Sequence, residues 1–265
     1  ELRGMFAFAI WDTVSRTLFA ARDAFGIKPL YFADDGKTLR FASQVKALLQ
    51  GSVDTSPEPA GHVGFFLWGS VPAPWTLFRG IRVLPAGHFL RVTAEGRCQQ
   101  SEWTSVRRLV QDAENRIVSG SIDDALEAIS ESIHDSVHAH LVADVPVGVF
   151  LSSGLDSCML AACAAEMHQD VQAVTLGFKE FAGTADDEVP MARQVAAAFG
   201  VRHEVFTVSK SDFVSQRAAL LAAMDQPSID GVNTWFVARA AAQSGLKVVL
   251  SGLGGDELFG SYPSF

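Results

Sequence analysis

Along the first hundred residues, apolar side chains come in short runs cut by turn-forming residues. Residues 4–11 (GMFAFAIW), 17–21 (TLFAA), 30–33 (LYFA) and 39–43 (LRFAS) are apolar or alternating. Between them lie Asp12-Thr-Val-Ser-Arg16, Phe25-Gly-Ile-Lys-Pro29 and Asp34-Asp-Gly36. This rhythm predicts antiparallel strands joined by turns. Residues 45–49 predict a turn or two of helix. Pro57, Pro59, Gly61, Pro72 and Pro74 then break up a loop-rich stretch around a short helix at 62–68. Residues 79–84 and 88–92 predict two more strands, closed by Ala94-Glu-Gly96. The segment 104–120 is polar and mixed in charge, and is expected to be a linker.

The pattern then changes period. Ile122, Leu126, Ile129, Ile133, Val137 and Leu141 share one helical face behind Ser121, a residue type suited to an N-cap. Strands predicted at 145–151, 171–178, 203–208 and 247–250 alternate with helices at 158–167, 187–199, 212–224 and 233–244. Such alternation predicts right-handed βαβ units and a parallel sheet. Ligands of such sheets sit at the carboxyl ends of the strands. No internal repeat is visible.

Composition narrows the function. The chain has 265 residues, 48% of them apolar and 19% charged, which is enough for a buried core and unlike a disordered chain. Its net charge is −9. An acidic chain is a poor match for nucleic acid or an anionic membrane surface, both of which need clustered Lys and Arg. No apolar run reaches the roughly 18–20 residues of a membrane span. Cys98, Cys158 and Cys163 form neither a disulfide framework nor a Cys-x-x-Cys zinc motif, so a reducing cytoplasm is expected. The sequence starts at Glu1 rather than Met and stops at Phe265, soon after a Gly-rich segment, so both ends are expected to be cut. Charge is uneven. Through Ala143 there are 14 Lys+Arg against 16 Asp+Glu; from Asp144 onward there are 7 against 14. A phosphate site in the second half must therefore lean on backbone amides, hydroxyls and a metal ion.

Two loops carry the chemistry. Phe150-Leu-Ser-Ser-Gly-Leu-Asp-Ser157 follows a predicted strand and opens a helix. Small residues let successive N–H groups converge on an anion, and the helix N-terminus adds partial positive charge. Ser152, Ser153 and Ser157 add hydroxyls. Asp156 would repel phosphate directly, but is at home if Mg²⁺ lies between them. The second loop, Leu250-Ser-Gly-Leu-Gly-Gly-Asp-Glu257, repeats the design after the last predicted strand. Asp256 could share the metal with Asp156, while Glu257 could orient neighbouring groups. Neither loop has the Lys of a Walker loop. The run from Gly252 reaches Glu257 where a dinucleotide fingerprint needs its third Gly, and Phe150 stands where a hydrolase elbow needs its first. His134 and His138 have metal-ligand spacing, but with no third ligand they read as a solvated helix face. Cys158 and Cys163 read as core thiols, and the aromatic residues as sheet core.

Together, Ser152-Ser-Gly-Leu-Asp-Ser157 and Ser251-Gly-Leu-Gly-Gly-Asp-Glu257 resemble the SGGxDS and SGxGxDE loops of glutamine-dependent asparagine synthetases. In the first half, Arg3-Gly-Met-Phe-Ala-Phe-Ala-Ile-Trp-Asp12, Ala21-Arg-Asp-Ala-Phe-Gly-Ile-Lys-Pro-Leu-Tyr31 and Phe41-Ala-Ser-Gln-Val-Lys-Ala-Leu48 resemble the later part of that family's class II amidotransferase domain. Ile81-Arg-Val-Leu-Pro-Ala-Gly-His88 is similar to its closing segment. Asp144-Val-Pro-Val-Gly-Val-Phe150, Asp187-Glu188 and His203 fit the synthetase domain. The resemblance implies an α+β amidotransferase part over residues 1–103, a linker at 104–120, and an α/β parallel-sheet ATP pyrophosphatase part over 121–265, each domain incomplete.

It also implies a reaction. Glutamine supplies ammonia, ATP adenylates a carboxylate, typically the aspartate side chain, and ammonia displaces AMP to give the amide. Leu151 would place backbone against adenine, and Leu176 would line that pocket. Ser152, Gly154, Asp156 and Ser157 would hold pyrophosphate and Mg²⁺, while Ser251 and Gly252 would hold AMP. Asp256 and Glu257 would be the catalytic carboxylates, with Asp156 and Asp256 the metal ligands. A homodimer is left open. Three positions depart from the family pattern. Residue 1 is Glu where the family's glutaminase nucleophile is an N-terminal Cys, so this chain alone is not expected to hydrolyse glutamine. Leu253 replaces an acidic residue tied to acyl-adenylate formation. Ser153 replaces a Gly, which strains the backbone only if its φ is positive. Leu253 motivates two other acceptors, a surface sugar acid or a β-lactam-type ring closure. A catalytically silent binding remnant is the remaining alternative.

Overall fold

The computed structural model describes residues 2–115, 120–167 and 170–260. The chain divides into two units: Glu1–Val118 with Ala222–Gly231, and Ser119–Leu221 with Val232–Phe265. Among the described residues, no helix is long and apolar enough to cross a membrane.

The first unit is built from antiparallel strands. β1 (Ala7–Asp12), β2 (Thr17–Arg22), β3 (Tyr31–Asp34) and β4 (Leu39–Ala42) come first, followed by α1 (Val45–Leu48) and α2 (Pro59–Trp68). β5 (Arg82–Val83), β6 (His88–Val92), β7 (Cys98–Glu102) and α3 (Val106–Glu114) complete it. One sheet has the order β1-β2-β6-β7 and the other β4-β3-β5. Strand alternation explains the layering. Ala7, Ala9, Ala20, Leu90 and Val92 of the first sheet meet Phe32 and Leu39 of the second around Leu30 and Leu84. The neighbours of Phe32, Tyr31 and Ala33, point the other way and pack with Val45 and Leu48 of α1.

The segment 222–231 joins this unit from far along the chain. Gln44 precedes α1 but makes no side-chain cap bond. Instead the Asp225 carboxylate accepts from the N–H groups of Val45 (2.8 Å) and Lys46 (3.0 Å). Gln226 accepts from the Leu77 N–H, and the Ile229 N–H donates to the Gly69 carbonyl.

The second unit alternates helix and strand. α4 (Ile122–Leu141) starts at a capping box formed by Ser121 and Asp124. β8 (Val147–Phe150), α5 (Leu155–Met167), β9 (Gln172–Phe178), α6 (Val189–Ala198), β10 (Arg202–Val208) and α7 (Lys210–Ala223) follow. α8 (Gly231–Gln243), β11 (Val248–Leu250) and α9 (Gly255–Phe259) close the described chain. The sheet is parallel, in the order β10-β9-β8-β11. Val149, Leu151 and Ala173 form its core with Ala161 and Ala164 of α5, Ala192 and Ala196 of α6, and Val137 of α4.

The alternating pattern of the second half is thus realised as a parallel sheet, and that of the first as antiparallel sheets. Several details differ from expectation. The segment 104–120 contains α3, which begins at a Ser105 cap and buries none of its residues. Residues 116–119 of that segment and 261–265 of the expected 121–265 domain lie outside the described residues. β7 was absent from the expected strands; four of its five residues are exposed. On α4 only the later part of the apolar stripe is covered: Val137 is buried, whereas Ile122, Leu126 and Ile129 are exposed.

Candidate functional site

Strand order fixes where a ligand can enter the second unit. From β8 the chain winds outward through β9 to β10, then returns to the opposite side of β8 for β11. The winding direction therefore reverses between β8 and β11. In open α/β sheets ligands sit outside the carboxyl ends of the strands at such a reversal. The two loops at this switch point are 151–157 and 251–254, the segments carrying the Ser/Gly-rich motifs.

They are packed together. A Cβ added to Gly252 would lie 3.0 Å from the Asp156 Cβ and 3.1 Å from the Ser157 nitrogen. A Cβ on Gly255 would overlap the Asp156 carboxylate. Gly254 has φ +101°, a conformation that disfavours any side chain, and turns the chain into α9. The Gly-Leu-Gly-Gly run is thus explained by close approach at Gly252 and Gly255 and by a left-handed turn at Gly254.

The first loop is closed by its own hydroxyls. The Ser152 N–H donates to Ser157 Oγ (3.1 Å), and the Gly154 N–H donates to Ser152 Oγ (3.1 Å). The Ser157 hydroxyl donates to the Gly154 carbonyl at 3.0 Å, leaving Ser152 Oγ as the donor in the 2.8 Å contact between the two hydroxyls. The amides of Ser152 and Gly154, expected to face an anion, are engaged by serine hydroxyls here. The N–H groups of the first turn of α5, Leu155 to Ser157, have no intrahelical partner by geometry. Ser157 itself is buried and Asp156 half-buried. Ser153 is not among the residues with positive φ, so replacing Gly there carries no left-handed strain. Its hydroxyl donates to Glu188 (3.4 Å).

Leu151 is anchored to the neighbouring strand. Its N–H donates to the Val174 carbonyl (3.0 Å) and its carbonyl accepts from the Thr175 hydroxyl (2.6 Å). The Leu151 N–H is thus spent on β9, and the residue is 2% exposed. Thr175 also lies 2.7 Å from His203 Nε2. Burial, and secondarily the charge of Arg193, hold the His203 imidazolium pKa below its usual value. Leu176, half-buried, is the next residue on β9. Ser251 is exposed and accepts from the Leu253 N–H (3.4 Å). Asp256 is half-buried beside Gly255, and Glu257 is exposed one residue on. Leu253 is 87% exposed.

The structure therefore brings Ser152, Gly154, Asp156, Ser157 and Gly252 into one cluster. Leu151 adjoins it through the backbone, and Leu176 stands on the adjacent strand. Thr175 was not singled out in the sequence. The available signal was a threonine inside an apolar strand, since a buried hydroxyl must find a partner. Among the described residues there is no group of three or more His, Cys, Asp or Glu side chains able to hold a metal. Mg²⁺ does not require one, because it commonly takes one or two carboxylates and completes its shell with phosphates and water. The Asp156 carboxylate accepts no hydrogen bond from any described residue, so it fits that role. His134, by contrast, pairs with Glu166 at 3.1 Å on an exposed face. Cys163 is buried and Cys158 half-buried, as core thiols should be, while Cys98 is exposed; all three are free.

Comparison with known proteins matches residues 1–104 to the glutamine amidotransferase domain model and residues 128–265 to the asparagine synthase model. A putative glutamine-hydrolysing asparagine synthetase of Mycobacterium tuberculosis is 40% identical over 99% of this chain and 40% of its own length. Asparagine synthetase 1 (glutamine-hydrolysing) of Bacillus subtilis is 32% identical over 99% of this chain and 40% of its own. The amidase chry2 of Gibberella zeae is 29% identical over 100% of this chain and 41% of its own. The chain thus spans about 40% of the length of these relatives.

Proposed function

The chain belongs to the asparagine synthase family, and on that premise we propose that it is the ATP-binding portion of an amide-forming ligase. The observation that carries the reading is the meeting of the two glycine loops at the switch point between β8 and β11. We assign residues 1–103 to part of an amidotransferase domain, 104–120 to the connection, and 121–265 to part of the synthetase domain. The whole protein would act in the cytoplasm. It would take ammonia from glutamine and deliver it to a carboxylate activated by ATP, with the side chain of aspartate as the first candidate acceptor.

The chemistry follows from the loops. A carboxylate resists attack by ammonia because its own oxygens are poor leaving groups. In adenylation one carboxylate oxygen attacks the α-phosphorus of ATP, the bond from that phosphorus to pyrophosphate breaks, and the oxygen becomes part of an AMP leaving group. Negative charge grows on the departing pyrophosphate, and donors fixed beforehand lower the barrier most. The amides at the start of α5 are the donors in place, and the hydroxyls of Ser152 and Ser157, whose protons close the loop on Ser157 Oγ and on the Gly154 carbonyl, would turn them to phosphate. Gly154 lets the loop close around them. Leu151 would place its backbone against adenine, Leu176 would line that pocket, and Ser251 and Gly252 would lie along the AMP moiety. Asp156 and Asp256 would hold Mg²⁺, which when bound neutralises phosphate charge; Glu257 would orient neighbouring groups. The second half has few cations, and amides, hydroxyls and carboxylate-held metal take their place.

Leu253 favours a second reading of the acceptor alone. A mostly exposed leucine on the crest of the second loop cannot contribute charge. It suits the same adenylation on another acid, a sugar acid or a substrate closed into a ring. Pyrophosphate release by the full-length enzyme with ATP, Mg²⁺ and ammonia separates the readings. Release with aspartate supports the first. Release only with another acid supports the second. Absence of ATP binding would leave a silent binding remnant and contradict both.

A further inference from the structure

We propose that His203 is a positioning residue for the nucleotide loop, acting through Thr175 on the peptide that joins Leu151 to Ser152. The proposal rests on the reading that residues 151–157 bind the phosphates of ATP.

Counting hydrogens fixes the direction of each bond. Leu151 O is a carbonyl oxygen and can only accept. At 2.6 Å it must take the single hydroxyl proton of Thr175. The Thr175 oxygen is then left with lone pairs only, so its 2.7 Å contact with His203 requires a proton on Nε2. Direction is thereby fixed along the chain: His203 Nε2–H donates to Thr175, and Thr175 donates to Leu151. The His203 tautomer is set by this partner rather than by solvent. Thr175 is 1% exposed and Leu151 2%, so water does not substitute readily at this carbonyl.

The peptide held this way is the first of the loop. Its carbonyl belongs to Leu151 and its N–H to Ser152, and both lie in one rigid plane. The carbonyl end is fixed by Thr175, and the amide end by Ser157 Oγ at 3.1 Å. Rotation of this plane would carry the Ser152 N–H and the loop behind it away from the start of α5. Hydrogen bonds in series also polarise one another. His203 stands two strands from β8, on β10, and reaches the loop only through the intervening β9. Its effect should therefore appear in how well the loop is held for ATP, and not in the chemistry of the acceptor.

The test is steady-state kinetics of the full-length enzyme with four variants. Thr175→Val and His203→Phe remove the donors while keeping size. Thr175→Ser and His203→Gln keep a hydroxyl and an N–H donor. The expected result is an ATP KM raised about tenfold in the first pair, the scale of one buried hydrogen bond, with kcat within about twofold. The second pair should stay near wild type. The double variant Thr175→Val/His203→Phe should be no worse than Thr175→Val alone, because both act along one path. An unchanged KM in His203→Phe, equal losses in the Gln and Phe variants, or additive losses in the double variant would overturn the proposal while leaving the ATP site standing. A wild-type enzyme that turns over no ATP would overturn the site reading and the proposal with it. If His203→Phe does not fold, Thr175→Val against Thr175→Ser and His203→Gln decides by the same criteria.

Discussion

Asp23 follows β2 in the first unit and Asp156 follows β8 in the second, and the two carboxylates meet different surroundings. Asp23 is 1% exposed and accepts from four backbone N–H groups: Phe6 (3.3 Å), Phe25 (3.1 Å), Ile27 (2.9 Å) and Lys28 (2.9 Å). Its acceptor capacity is spent on shaping one turn. Burial pushes the Asp23 pKa up, but these N–H groups together outweigh it and hold the pKa below the usual carboxylate range. Asp156 is half-buried, lies against Gly252 and Gly255, and accepts no hydrogen bond from any described residue. A spent carboxylate is architecture, whereas an unspent one beside a glycine loop is available to a ligand. Both lie in quoted family motifs; the sequence singles out Asp156 by its Ser/Gly-rich loop and gives no hint that Asp23 is held by four N–H groups.

The contrast can be broken first at Asp156. Asp156→Ala should cut pyrophosphate release by the full-length enzyme about a thousandfold, with the unfolding free energy changed by less than about 0.5 kcal/mol. Turnover that survives would remove the functional half of the contrast. Asp23→Ala should do the reverse. Losing four N–H partners should cost the first unit about 3 kcal/mol in denaturant unfolding, without changing ATP affinity.

The acid dependence carries the same sign. The folded pKa of Asp23 lies below its unfolded value of about 4. Its stabilisation is therefore full above that unfolded value and fades as pH falls through the folded one. Wild type should lose stability through that window more steeply than Asp23→Ala, and parallel pH curves would refute the assignment.

Two smaller effects sharpen the picture. Gly255→Ala places a methyl group on the Asp156 carboxylate, which must turn away, and should weaken ATP binding roughly tenfold with little loss of stability. Equal affinity would mean that the carboxylate position is immaterial. Asp225→Ala removes the distant cap of α1 and should destabilise the first unit by about 1 kcal/mol, read as a lower melting temperature.

What the sequence disclosed and what it hid follow one rule. Local signals were legible: turn residues between short apolar runs, Ser121 ahead of α4, and glycines where two loops approach closely. The candidate site could be named from sequence because Ser152, Gly154, Asp156 and Ser157 are near neighbours in the chain, and so are Ser251, Gly252 and Asp256. Long-range polar partners were hidden. Asp225 caps a helix that begins at Val45, and Thr175 links Leu151 to His203; neither pairing has a periodic or local signature. β7 and α3 were missed because they bury little apolar surface, which is the quantity that hydrophobic patterning reports. The early apolar residues of α4 show the converse, since Ile122 and Leu126 fit the pattern yet remain exposed.

The most direct test of the central claim, that the two glycine loops form an ATP phosphate site, is calorimetric titration of the full-length enzyme with ATP. It should be run with and without Mg²⁺, on wild type and on Asp156→Ala. Wild type should bind saturably and more tightly with Mg²⁺, and Asp156→Ala should lose that Mg²⁺ dependence. Binding of equal strength and equal Mg²⁺ dependence in both proteins, or no binding to wild type, would contradict it.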